Sequence, residues 1–160
     1  MGKKGREIVE VDIDKLLKML YRAYADEWIA YYSYKYAAEM ATGMGSPRIA
    51  ELTKKIADEE EEHADELAER ILELGGEIPY PIEKLYDLAN CKTVTYPKDM
   101  SDLKGILEGL VEAEQCAIEV YNKMVKWLGP CYDKDVKTFH LIEHILAEEI
   151  SHEDQFENLL

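Results

Sequence analysis

The sequence lacks the features that define several common protein classes. Only three of its 160 residues are cysteines and no CxxC pair occurs, which argues against a disulfide scaffold and a cysteine-rich zinc site. No stretch approaches the roughly 20 apolar residues of a membrane span. The N-terminal residues also lack the apolar segment of a signal peptide. We therefore expect a cytoplasmic protein with no membrane partner.

Positive charge is also scarce. Lys and Arg together number 19 against 34 for Asp and Glu, which gives a net charge of -15 at pH 7. Such a chain repels the phosphates of nucleic acids and attracts cations, so we do not expect DNA as a partner. The short basic start, Lys3, Lys4 and Arg6, is the only segment that suits contact with DNA.

Four long segments show the periodicity of amphipathic helices. Their approximate ranges are 12–41, 46–74, 101–128 and 133–158. Tight turns join the first helix to the second and the third to the fourth, whereas residues 77–100 form a long connection with a short helix expected at 82–88. A connection of that length makes the second and third helices parallel. We predict a single all-α domain over residues 1–160, a four-helix bundle with one long crossover.

The motif Glu-x-x-His occurs twice, as Glu60 to His63 in the second helix and Glu149 to His152 in the fourth. Its spacing puts a carboxylate and an imidazole on one helical face. On both helices this is the apolar face predicted to point into the bundle, where an unpaired charge is very costly. Buried acids persist by pairing with cations or by binding metal. The two motifs therefore predict metal ligands inside the bundle.

The first and third helices each carry one glutamate within their apolar stripe, Glu27 and Glu114. A tyrosine follows each of them seven residues later, Tyr34 and Tyr121, on the same face. Such a hydroxyl is placed to hydrogen-bond a carboxylate that binds metal. The complete set of candidate catalytic and metal-binding residues is Glu27, Glu60, His63, Glu114, Glu149 and His152.

The order of these residues along the chain resembles the ferritin-like di-iron carboxylate proteins. The resemblance covers residues 12–158: a lone Glu, a Glu-x-x-His, a crossover, a second lone Glu and a second Glu-x-x-His. Within that group the ligand set looks like that of bacterioferritin. The resemblance implies that Glu60 and Glu149 bridge two irons per chain. The lone glutamate and the histidine of each half would then complete one iron site.

Two departures, one from bacterioferritin and one from the miniferritins, narrow the resemblance. Only eight residues follow His152, too few for the fifth short helix of ferritins. This resembles the Dps-like miniferritins, whose cages hold twelve subunits, although those proteins place the metal site between subunits. The combination of a bacterioferritin-like ligand set with a miniferritin-sized chain is similar to the Dps-like thioferritins, which pair two cysteines near the ferroxidase site. That resemblance suggests Cys116 and Cys131 as a redox pair, the alternative for Cys116 being a small buried apolar residue. Cys91 has no evident partner.

The resemblance implies a ferroxidase that oxidises Fe(II) with H2O2 or O2 and stores ferric mineral in a small homo-oligomeric cage, expected to hold twelve subunits. Such a protein would protect against oxidative stress. The ligand set suits Fe(II), with Mn(II) or Zn(II) as competitors, and we expect no haem. Two alternatives stay open: a rubrerythrin-like di-iron peroxidase without storage, and a DNA-compacting Dps-type cage.

A second aromatic stripe lies on the first helix, on the side opposite Glu27. An isolated bundle has no use for such a back face, so we expect it to pack against another subunit. Its members are Tyr21, Trp28, Tyr32 and Tyr36.

Overall fold

Four long helices and two short ones account for most of the chain in a computed structural model that describes residues 2–160. In chain order the helices are α1 (Lys3–Glu7), α2 (Ile13–Met40), α3 (Ser46–Leu74), α4 (Glu83–Leu88), α5 (Leu103–Leu128) and α6 (Val136–Glu157), with a 3-10 turn at Gly129–Lys134. The predicted all-α helical bundle is confirmed. The ends of the long helices lie within three residues of the predicted ones.

Capping side chains explain where the long helices begin. Asp12, Asp102 and Asp135 precede α2, α5 and α6. Each accepts a hydrogen bond from the backbone N–H three residues further along the chain, which satisfies one of the free donors of a helix start. Helix α3 lies between Gly45 and Gly75, whose φ angles of 97° and 88° suit glycine.

The crossover makes α3 and α5 parallel, as predicted. The backbone N–H of Thr42, just after α2, donates to the carbonyl of Met100, just before α5, at 2.9 Å. Helix α5 therefore begins beside the start of α3. Helix α2 packs along α3 and α5 packs along α6, while α4 packs against α2 within the crossover.

The apolar core consists of two clusters, one towards each end of the bundle. One cluster includes Leu16, Leu67 and Leu128. The other includes Ile56, Leu110 and Phe156. On every long helix the residues of these two clusters are separated by a short interval that carries buried acidic or imidazole side chains. The bundle thus encloses a polar layer between two apolar blocks, which exclude water from it.

A buried arginine joins α3 to the start of α6. Arg70 is only 1% exposed. Its Nε donates to Thr138 Oγ1 at 2.6 Å, and its Nη2 donates to Asp135 Oδ1 at 2.8 Å. Its Nη1 donates to Glu73 at 2.8 Å. Such a buried charge is stabilised only while its partners stay in place, so this network fixes the register of the two helices.

The aromatic stripe on α2 is covered only in part by this chain. Trp28 is half-buried beside α4, whereas Tyr32 is 66% exposed. Tyr36 stacks on Tyr96 of the crossover and is still 41% exposed. That this stripe packs against a second subunit stays a prediction. No helix within residues 2–160 is long and apolar enough to cross a membrane.

Candidate metal centre

The polar layer brings together all six candidate ligands, and none is more than 2% exposed. They form two groups, in each of which one ligand atom per residue lies within 4.8 Å of the others. One group contains Glu27, Glu60, His63 and Glu149, and the other contains Glu60, Glu114, Glu149 and His152. Because Glu60 and Glu149 belong to both groups, the layer can hold two metal ions that share two carboxylates.

Both histidines present the same ring nitrogen to the carboxylates. His63 Nδ1 lies 3.2 Å from Glu149 Oε1 and 3.3 Å from Glu60 Oε2. His152 Nδ1 lies 3.3 Å from Glu60 Oε1 and 3.9 Å from Glu149 Oε2. The geometry is thus nearly two-fold symmetric, with α3 and α6 in equivalent roles.

Several buried atoms of the layer have no hydrogen-bond partner among residues 2–160, as expected of groups that bind a cation. They include Glu60 Oε1, both carboxylate oxygens of Glu114 and Glu149, and His152 Nδ1. Carboxylate oxygens with one imidazole per site are the donors that divalent transition metals such as iron take in proteins. The residues present therefore fit a di-metal centre.

Burial, followed by the negative charge of Glu149, raises the pKa of both Glu60 and Glu114 well above the usual range. Burial alone would lower the pKa of His63, but the nearby carboxylates of Glu149, Glu27 and Glu60 outweigh burial and raise that pKa strongly. When no metal is bound, these shifts favour the protonated forms of all three groups, which reduces repulsion among the buried acids.

Two other candidate ligands, Glu27 and His152, have pKa values that are lowered. Burial would raise the pKa of Glu27, but its neighbours, led by His63, lower it. Burial is the main cause that lowers the pKa of His152, whose imidazole is therefore neutral at pH 7. The two halves of the layer thus differ in charge when no metal is bound, despite their similar geometry.

The two tyrosines predicted to support the ligands lie against the lone glutamates of the opposite helix. The hydroxyl of Tyr121 on α5 donates to Glu27 Oε1 on α2. Tyr34 on α2 is buried, and after burial the charge of Glu114 on α5 is the largest influence that raises its pKa. Tyr121, which follows Glu114 in sequence, therefore supports Glu27. Tyr34, which follows Glu27 in sequence, lies against Glu114.

A family description, the ferritin-like domain, matches residues 17–160. The chain belongs to the ferritin-like family. It is 38% identical to the DNA protection during starvation protein of Pyrococcus furiosus over 163 residues, which cover 100% of this chain and 86% of that relative. It is 30% identical to the bacterioferritin of Desulfovibrio desulfuricans over 146 residues, which cover 91% of this chain and 74% of the relative.

Among solved structures, this ferritin-like chain is similar to the dodecameric thioferritin of Bacteroides fragilis, a bacterioferritin-related protein. The TM-score is 0.90 at 31% identity, and the match covers 98% of this chain and 92% of that one. The predicted resemblance to ferritin-like di-iron proteins with Dps-like features is thereby confirmed.

The hypothesis that Cys116 pairs with Cys131 is wrong for this ferritin-like chain. Cys116 forms a disulfide with Cys91 of the crossover, with the two Cα atoms 5.9 Å apart. Cys131 is free, and its thiol donates to the carbonyl of Trp127. From Cys116 to the end of α5 at Leu128 the chain advances roughly 18 Å along the helix axis, which keeps Cys131 away from Cys116. The crossover instead passes beside α5 and brings Cys91 to it.

Sequence reasoning missed two carboxylates outside the layer. Glu148 Oε2 lies 2.7 Å from His63 Nε2, and Glu59 Oε2 lies 3.2 Å from His152 Nε2. Both belong to acidic runs that have the pattern of a solvated helix face. The signal that could have found them is their position, because each directly precedes a shared glutamate.

Sequence reasoning also missed Asp26, which anchors the crossover above the layer. Its carboxylate accepts hydrogen bonds from the backbone N–H of Asn90 and Cys91 at 2.7 and 2.8 Å, and from Asn90 Nδ2 at 2.6 Å. Burial raises the pKa of Asp26 to about 6 although these bonds oppose the shift. A cavity of about 20 Å³ lies beneath, lined among others by Glu27, Glu60, Lys92, Val94 and Glu149.

Proposed function

We propose that this protein is a ferroxidase and an iron-storage protein that limits oxidative stress. The observation that carries the proposal is the pair of overlapping buried groups that share Glu60 and Glu149. A bacterioferritin and a thioferritin among the similar proteins support it. Fe(II) is the substrate that best suits this donor set, and Mn(II) and Zn(II) would compete for it.

The chemistry needs two one-electron donors side by side. Two Fe(II) ions give up two electrons, and one H2O2 takes them with two protons to become two water molecules; O2 is the other candidate oxidant. In the proposal Glu60 and Glu149 hold both ions, and His63 and His152 each bind one of them. The cavity beside the layer has the volume of about one water molecule, which suits an oxidant of similar size.

Storage requires an enclosed assembly, and we propose a cage of twelve identical chains. The similar Bacteroides fragilis protein is described as dodecameric. The partly exposed aromatic stripe on α2 supports burial against another subunit. Light scattering should give a mass of about 220 kDa for twelve chains of 18.4 kDa. A mass of one or two chains would favour the peroxidase alternative, which stores no iron.

A second candidate function is DNA compaction, because the Pyrococcus furiosus relative is named for DNA protection. The net charge of -15 opposes it. Within the basic start of the chain, Lys3 and Lys4 lie 3.8 and 3.5 Å from Glu7, which reduces their positive field. We therefore predict no shift of duplex DNA in a gel at low salt. A shift that disappears as salt increases would support the DNA-compacting alternative.

Anaerobic titration with Fe(II), followed by H2O2 or O2, tests the ferroxidase proposal. The absorbance change of the fast oxidation phase should saturate at two irons per chain in the wild type. Glu60→Ala removes a shared ligand and should abolish fast oxidation, whereas Glu62→Ala removes an exposed charge from the same helix and should not. Saturation well short of two irons, or unchanged kinetics in Glu60→Ala, would contradict the proposal.

A further inference from the structure

Each histidine of the layer contacts a carboxylate that comes from the opposite helix. His63 of α3 meets Glu148 of α6, and His152 of α6 meets Glu59 of α3. The histidine side chains are 2–3% exposed, while Glu148 and Glu59 are 43% and 31% exposed. The inner nitrogen, Nδ1, faces the candidate ligands, and the outer nitrogen, Nε2, faces these carboxylates.

We propose that Glu59 and Glu148 are positioning residues that hold the two imidazoles in the orientation needed to bind metal. This inference rests on the proposed metal centre and assigns residues outside it. Glu148 Oε2 hydrogen-bonds His63 Nε2 at 2.7 Å, and because a carboxylate accepts, that Nε2 must carry the hydrogen. Glu59 Oε2 lies 3.2 Å from His152 Nε2 without the geometry of a hydrogen bond, and the proposal assigns it the equivalent role. The Nδ1 of a neutral ring then keeps its lone pair, and that lone pair points at the site between the carboxylates.

Helix geometry explains how one acidic dipeptide supplies both a shared metal ligand and a carboxylate that faces a histidine. Successive residues of a helix point about 100° apart. When the second glutamate of a pair points into the layer, the first therefore points along the groove between α3 and α6, towards the other helix. The two dipeptides are Glu59–Glu60 and Glu148–Glu149, and each sends its first member to the histidine across the groove.

An exposed ion pair by itself contributes little to stability, which distinguishes this role from a structural one. The acceptor here faces a buried ring, so its removal leaves Nε2–H without that acceptor and frees the imidazole to turn. In metalloproteins, loss of such a partner typically weakens metal binding tenfold to a hundredfold. The expected effect is therefore on metal affinity, with little effect on the melting temperature.

The test is an anaerobic titration of the assembled, full-length protein with Co(II), followed by visible absorbance. Wild type should bind two Co(II) per chain. Glu148→Ala should weaken the site that contains His63 by tenfold or more, and Glu59→Ala should weaken the other site. Glu148→Gln keeps an oxygen acceptor and should restore part of the affinity. Glu66→Ala removes an exposed acid from α3 and serves as the control for charge.

The outcomes separate this inference from the proposed function. A wild type that binds no Co(II) would overturn the metal centre and this inference with it. Two tight sites in both Glu148→Ala and Glu59→Ala, with affinities within twofold of those of Glu66→Ala, would overturn only the positioning role. If Glu148→Ala loses its helical circular dichroism, Glu148→Gln takes its place in the test. Glu148→Gln should bind Co(II) more weakly than Glu66→Ala and show an altered Co(II) spectrum, and an affinity within twofold of that of Glu66→Ala would overturn the positioning role.

Discussion

Metal binding should release at least one proton per chain at pH 7. Without metal, Glu60, Glu114 and His63 have raised pKa values, which favour their protonated forms, and the shift is strongest for His63. Glu27 and His152 have lowered pKa values and hold none at this pH. Binding of two divalent ions requires the six ligands to be deprotonated. The protons that these groups hold in the absence of metal must therefore be released.

Zn(II) is a suitable probe because it has no redox chemistry. Isothermal titration calorimetry in several buffers of different ionisation enthalpy measures the number of protons released. Because protons compete with the metal, the affinity for Zn(II) should fall as the pH is lowered and rise as the pH is raised. A charge-removing control, Glu62→Gln, lies outside the layer and should release the same number.

The release of fewer than one proton per chain, with two Zn(II) bound, would refute the electrostatic reasoning. It would mean that Glu60 and Glu114 are ionised before metal arrives and that His63 is neutral. An affinity that does not change with pH between 6 and 8 would lead to the same conclusion.

Three further outcomes follow from the packing and the cysteine chemistry. Arg70→Met should lower the free energy of unfolding by about 3–5 kcal/mol because it leaves the buried Asp135 without its cation. Denaturation with guanidinium should show no comparable loss for the exposed Arg48→Met, and a loss under about 1 kcal/mol in Arg70→Met would contradict this role. Alkylation of the unfolded, unreduced protein should label one thiol, that of Cys131, whereas alkylation after reduction should label three. Three labels without reduction would exclude the disulfide between Cys91 and Cys116. Tyr121→Phe should weaken one Zn(II) site about tenfold, since the hydrogen bond to a ligand is lost, whereas equal binding by Tyr121→Phe and the exposed Tyr32→Phe would contradict that role.

Sequence periodicity was sufficient to predict the bundle and to predict that the candidate ligands meet inside it. The reason is that a helix fixes which side chains share a face. Glu27 and Glu114 stand within apolar stripes, and their burial follows once those stripes form the core. The crossover was recognisable from its length, and that length implied that α3 and α5 run parallel.

The disulfide pairing and the partners of Glu59, Glu148 and Arg70 depended on contacts that periodicity does not encode. The pairing of Cys91 with Cys116 is set by the path of an irregular segment, whose residues have no repeating face. Glu59 and Glu148 look like solvated acids along their own helices, and their role is visible only when the other helix is in place. Arg70 likewise finds Asp135 only after α6 has packed on α3.

We propose that one chain holds two metal ions within its own bundle. Anomalous diffraction at the iron edge, from crystals prepared with Fe(II) under anaerobic conditions, locates these ions. We expect two peaks per chain in the polar layer, each next to one histidine Nδ1 and both next to Glu60 and Glu149. Peaks located between chains, or a single peak per chain, would contradict this proposal.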